Sequence, residues 1–193
     1  MSVVSMAEAW PSPGKPFTVA ELDRMPDDGH RYELLDGVLV VSPRPTPAHQ
    51  VVAFTLASIL DRASPPEWQV VPEPAVMVSY DTEFAPDIVV AARDQLSGTK
   101  ITRAPVLAVE VRSPSTALID LNVKKAAYER FGVPSCWVVI PDVGKPELIA
   151  FELRDGHYVE TARVSGGEPF RARRPFAVEV APAGLVAGLQ PPA

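Results

Sequence analysis

Leu107-Ala108-Val109-Glu110-Val111-Arg112 is an apolar run, rich in β-branched residues, that carries a carboxylate near its end. It reads as a buried strand, and its alternation decides how the chain around it folds. Leu107, Val109 and Val111 fall on one face, which is expected to pack on a helix. Ala108, Glu110 and Arg112 fall on the other. A carboxylate inside such a strand is costly unless something compensates its charge. Ala85-Pro86-Asp87-Ile88-Val89-Val90 is a second strand of this kind, with Asp87 at its start directly after a proline. If the two strands are neighbours, their carboxylates can converge on one cation, and a shared cation points to metal-assisted chemistry.

Working outward, Thr18 and Glu21 have capping-box spacing, which predicts a short helix ending near Met25-Pro26. Asp36-Gly37 between Arg31–Leu35 and Val38–Val41 is a two-residue hairpin signal, and Asp155-Gly156 between Glu147–Leu153 and His157–Ala162 is another. Thr46 to Ala63 repeats its apolar residues on one helical face, with Pro47 in the first turn. Strands are predicted at Trp68–Val71, Ala75–Val78 and Cys136–Ile140. A helix from Ala117 to Phe131 should stop at Gly132, with Pro134 just beyond. Strands and helices in this order predict an α/β fold, a mixed sheet flanked by helices with additional β-hairpins.

With 193 residues, 47% of them hydrophobic, the chain is long enough for one well-buried domain and short for two. We place that domain at residues 17–180, after a disordered leader (1–16) whose prolines discourage regular structure, and before a flexible Pro-, Gly- and Ala-rich tail (181–193). No run is apolar enough to span a membrane, and the N-terminus lacks the pattern of a secretory signal. The single cysteine, Cys136, lies in a predicted core strand and is compatible with a reducing cytoplasm. A formal charge of -6 sets the chain apart from proteins that track a nucleic-acid backbone with a basic surface. Positive charge is local, chiefly at Arg171, Arg173 and Arg174, which read as a solvated cluster that could also touch nucleic acid or an oligomer partner.

Hard carboxylate oxygens at Asp87 and Glu110 suit Mg²⁺ or Mn²⁺. His30, His49 and His157 are too scattered for a zinc site. Asp120, Lys124 and Tyr128 follow one another at i, i+4 spacing and share a helix face. Lys124 could reach the carboxylates and hold or deprotonate a water; it could equally pair with Asp120 on an exposed face. Tyr128 reads first as a packing residue. Glu33 either faces solvent from a half-wet hairpin or joins the site. His49, close to a helix start, reads as a surface or capping residue.

Tyr32-Glu33-Leu34-Leu35-Asp36-Gly37, Ser42-Pro43, His49, Pro86-Asp87, Glu110-Val111 with Ser113-Pro114-Ser115, Lys124, Tyr128, Gly132-Val133 and Trp137 occur in that order. The series resembles the Uma-two family of endonucleases, in the restriction-endonuclease-like PD-(D/E)XK group, over about Phe17 to Phe151. The resemblance implies catalytic Asp87, Glu110 and Lys124. It implies metal ligation by Asp87, Glu110 and the Val111 backbone carbonyl, with Glu33 as a further ligand and Tyr128 as an accessory residue. Arg112 stands at the usual position of the motif's lysine, where an arginine can clamp phosphate but cannot serve as a base. The implied activity is Mg²⁺- or Mn²⁺-dependent hydrolysis of nucleic acid, DNA foremost; cysteine usage adds the expectation of a cytoplasmic protein, and analogy with common homo-oligomers that of a homodimer. Two rivals accompany it: a non-catalytic binding or assembly module on the same fold, and a hydrolase of small phosphorylated substrates.

Overall fold

The structure, a computed structural model, describes residues 15–112 and 118–190, with the side chains of all of these except 118–121. After a one-turn helix α1 (Val19–Leu22) come β1 (His30–Leu35) and β2 (Val38–Pro43), the long helix α2 (Pro47–Ala63), and β3 (Trp68–Pro72), β4 (Val76–Ser79), β5 (Thr82–Phe84) and β6 (Ile88–Ala92). The 3₁₀ turn Arg93–Leu96 precedes β7 (Leu107–Val111). Helix α3 (Leu118–Phe131), β8 (Ser135–Ile140), β9 (Glu147–Arg154), β10 (His157–Ser165), β11 (Phe170–Ala172), β12 (Val178–Val180) and the turn of helix α4 (Pro182–Leu185) complete the chain.

Local chemistry explains the punctuation. The Glu21 carboxylate accepts from the Thr18 backbone N–H and hydroxyl at 2.7 and 2.8 Å, closing the start of α1. Asp36 and Gly37 both take positive φ (49° and 76°), the geometry that lets Leu35 pair with Val38 across a two-residue turn. Asp155 and Gly156 do the same between β9 and β10. The Thr46 hydroxyl accepts the His49 N–H at the start of α2, with Pro47 at its head. Gly132 ends α3 at φ 84°.

The main sheet has six strands in the order β10-β9-β8-β7-β6-β3. Within it β7 and β8 run parallel, joined through α3; every other neighbouring pair is antiparallel. All five residues of β7 are buried, as a strand covered on both faces requires. Leu107, Val109 and Val111 pack with Val52, Leu56 and Leu60 of α2 and with Trp137. On the other face Ala108 and Cys136 meet Ala127 and Tyr128 of α3 and Leu35, Val76 and Phe84. Those three belong to a four-stranded sheet of order β2-β1-β5-β4, which thus covers the second face.

The tail departs from the fraying expected of residues 181–193. Pro182–Leu185 forms a helical turn, and Leu185 and Val186 are buried in the α2 core with Phe176 and Val180. Two large aliphatic side chains with somewhere to go outweigh the local Pro, Gly and Ala content. Residues 191–193, residues 1–14 of the expected leader and Ser113-Pro114-Ser115 lie outside the described residues.

Candidate active site

Strands β6 and β7 are antiparallel neighbours with Ile88 opposite Val109, so one step further out Asp87 comes level with Glu110. Asp87 precedes β6 instead of opening it. Its carboxylate closes the gap to the next strand: Oδ2 accepts the Val111 N–H at 2.7 Å. Glu110 lies on the α3 face of β7, across from the Leu107, Val109 and Val111 face. From α3, Tyr128 donates its hydroxyl proton to Glu110 Oε1, and the Lys124 ammonium stands 3.6 Å from Oε2. Lys124 also lies 2.8 Å from Oε1 of Glu33, which comes from β1 in the other sheet and accepts the Ala85 N–H at 2.9 Å.

Glu33, Asp87, Glu110, Lys124 and Tyr128 are all buried. Of the two readings open for Glu33, the inward one holds, and Lys124 points into this cluster. The ring of Tyr128 packs edge-on against Phe84 at 4.7 Å while its hydroxyl serves Glu110, so packing and polar contact coincide in one side chain. The side chain of Asp120 lies outside those described. Arg112 does not join: its backbone N–H pairs with Val139, and its side chain forms no ion pair among the described residues. Arg171 pairs with Glu179, while Arg173 and Arg174 line a cleft of about 300 Å³ beside Trp137 and Ser135. Ser135 pairs with Leu107, which puts this cleft toward the opposite end of the sheet from Glu110.

Two residues not assigned from sequence complete the cluster. His49, expected at the surface, is buried; its Nε2 lies 2.9 Å from the Val111 carbonyl oxygen and 3.2 Å from Asp87 Oδ2. A carbonyl only accepts, so Nε2 carries the proton. Arg31 of β1 donates through Nη1 to Asp87 Oδ1 at 3.3 Å. These three contacts join residues 38, 56 and 62 positions apart in sequence, and no local pattern announces them.

The electrostatics separate the two strand-end carboxylates. Burial pushes the Glu110 carboxyl up, Lys124 pulls it back, and Asp87 and Glu33 raise it again, to about 7. Burial also works against Asp87, but the hydrogen bond and charge of His49 together with Arg31 hold it below the usual carboxylate range. Lys124 feels the opposing pulls of burial and of Glu110 and Glu33, and the carboxylates win, which keeps it an ammonium. It fits the part of a resident cation, not of a base.

The donor chemistry accommodates a hard divalent ion. Asp87 and Glu110 offer carboxylate oxygens from adjacent strand ends, and burial is the main cause that raises Glu110, a cost that a bound cation would offset. Among the described residues no group of three or more His, Cys, Asp or Glu side chains is arranged to hold a metal. Mg²⁺ does not need one, because it typically takes one or two carboxylates and keeps waters and phosphate oxygens for the rest.

The model of the Uma2 family, described as "Putative restriction endonuclease", matches residues 19–183. The chain belongs to the Uma2 family. Among solved structures it is similar to a "putative nuclease belonging to DUF820" from Anabaena variabilis, at 17% identity and a TM-score of 0.71, covering 89% of this chain and 98% of that one. At that identity the likeness shows the fold alone, and it bears out the mixed α/β architecture with sheets flanked by helices. No curated protein matches the chain. In this Uma2 chain the family match runs through Ala183, past the boundary expected at residue 180, in keeping with the packed C-terminal turn. No helix among the described residues is long and apolar enough to cross a membrane.

Proposed function

We propose that this Uma2 protein is an endonuclease that hydrolyses phosphodiester bonds of DNA with Mg²⁺ or Mn²⁺ held by Asp87, Glu110 and the Val111 carbonyl. One observation carries the reading: Glu33, Asp87, Glu110 and Lys124, from four separate segments, are buried in one linked polar cluster at a sheet end. A fold does not gather three carboxylates out of water for stability, since replacing such groups by apolar ones is often neutral or stabilising. When bound, the ion acidifies water and polarises the scissile phosphate.

The chain's own residues do the rest. The Val111 N–H and His49 Nε2 fix the orientation of Asp87. Tyr128 fixes Glu110. Lys124 neutralises Glu33 and Glu110 and opposes the negative charge that develops as the phosphate is attacked. Packed strands and α3 keep water from the cluster's inner side and strengthen each of these interactions. A homodimer would set two such sites against two strands.

The test is cleavage of plasmid, single-stranded DNA and RNA with Mg²⁺ or Mn²⁺, beside the Asp87→Ala/Glu110→Ala variant. Metal-dependent cutting that disappears in the variant is the expected result, and the substrate cut defines the class. A second reading, a hydrolase of small phosphorylated substrates, draws on the net charge of -6. It gains if a well-folded, metal-bound wild type leaves every polymer intact yet turns over simple phosphoesters.

A further inference from the structure

Arg31 is the least satisfied polar side chain among the described residues. Nη1 makes one long bond, 3.3 Å to Asp87 Oδ1, and Nη2 stands 3.8 Å from Glu33 Oε1, close enough to pair charges but not to hydrogen-bond. Nε and Nη2 are buried and have no hydrogen-bond partner among the described residues; the one other buried side-chain nitrogen or oxygen without a partner there is Nδ1 of His49. A guanidinium cannot shed its charge, and buried donors without acceptors are costly.

Neutralising Asp87 does not account for this arrangement. An arginine serving only as counter-ion would turn its two-pronged edge to a carboxylate, as Arg163 does to Glu160, with Nε 3.0 Å from one oxygen and Nη2 2.8 Å from the other. Arg31 keeps that edge, Nε with Nη2, unused. Its neighbours are meanwhile provided for: Asp87 accepts the Val111 N–H, and Glu33 has both Lys124 and the Ala85 N–H. Arg112, the arginine that sequence nominates as a phosphate clamp, forms no ion pair with the cluster among the described residues.

We infer that Arg31 is the phosphate-binding residue of this site, its Nε and Nη2 donating to the two non-bridging oxygens of the substrate phosphodiester. The spacing of these two donors matches two oxygens on one phosphorus. The side chain keeps 18% of its surface exposed and a single long bond tethers its end, so engaging a phosphate would take a turn of the side chain about its own torsions. The inference rests on the nuclease reading of the same site.

The test is fluorescence anisotropy with a labelled DNA duplex, with Ca²⁺ in place of the catalytic ion, over a series of KCl concentrations. Arg31→Met is expected to weaken binding about 10-fold and to flatten the slope of log K against log salt by about one phosphate contact, ~0.9. Arg31→Lys should recover part of the affinity but little of the cleavage, because it restores the charge without the fork. Arg112→Met should leave affinity and slope unchanged. A folded Arg31→Met with wild-type affinity and slope overturns the assignment, as does a loss confined to Arg112→Met. Should Arg31→Met fail to fold, Arg31→Met/Asp87→Asn is compared with Asp87→Asn, and the same two outcomes decide. Wild type that neither binds nor cuts nucleic acid overturns the nuclease reading and this one together, whereas wild type that cuts and an Arg31→Met slope that does not move overturn this one alone.

Discussion

The two faces of β7 follow opposite rules within five residues. Toward α2, the side chains of Leu107, Val109 and Val111 pack in an apolar cluster with Val52, Leu56, Leu60 and Trp137, and His49 of the same helix reaches the strand's backbone at the Val111 carbonyl. Toward α3, Ala108 begins on the same principle beside Cys136, but the next residue on that face is Glu110, surrounded by Tyr128, Lys124 and the reach of Glu33. One face is built as a core should be. The other exchanges close apolar packing for buried charge, and it does so only at the strand's end, where the sheet opens.

The sharpest way to break the contrast is Glu110→Gln. It should lower the cleavage rate by at least about 10²–10³-fold while leaving the urea midpoint unchanged or raised, since an incompletely compensated buried charge has been removed. A large loss of stability together with activity would mean that this face, too, serves the core. Trp137→Ala probes the α2 face and should reverse the pattern. Unfolding free energy should fall by about 3–5 kcal/mol, whereas the rate per folded molecule should stay near wild type. The smallest effect is expected at Cys136. Burial pushes its thiol far above the ordinary value, with Glu110 adding to the shift, so the native protein should resist alkylation through pH 9. Labelling should appear only as denaturant unfolds the chain. Rapid labelling of the native state would show that the α3 face is open to water well beyond Glu110.

Much of this arrangement can be read from local sequence. Asp36-Gly37 and Asp155-Gly156 announce their hairpins because few residue pairs accept two positive φ angles in a row. The i, i+4 step from Lys124 to Tyr128 puts both on one helical face, and the alternation in β7 separates Glu110 from the core residues. What could not be read is what tertiary contact alone decides. Strands β5, β11 and β12 have three residues each, too few for a period to declare itself. The C-terminal turn is helical because Leu185 finds the α2 core, not because its composition favours a helix. Arg31 and His49 act on Asp87 from distant segments, and an arginine at a strand start or a histidine in a first helical turn looks like any surface residue until the fold closes over it.

The site draws on Arg31 and Glu33 from the smaller sheet, on Asp87 and Glu110 at one end of the main sheet, and on Lys124 and Tyr128 from α3, so its members span nearly a hundred positions of chain. During synthesis the N-terminal part leaves the ribosome first. A nascent chain therefore carries its first arginine and two carboxylates long before the strand, helix and lysine that organise them. The cluster cannot close until α3 has emerged and β8 has paired with β7 to hold that helix in place. On the nuclease reading proposed above, truncated or stalled translation products lack the assembled cluster and are expected to be inactive.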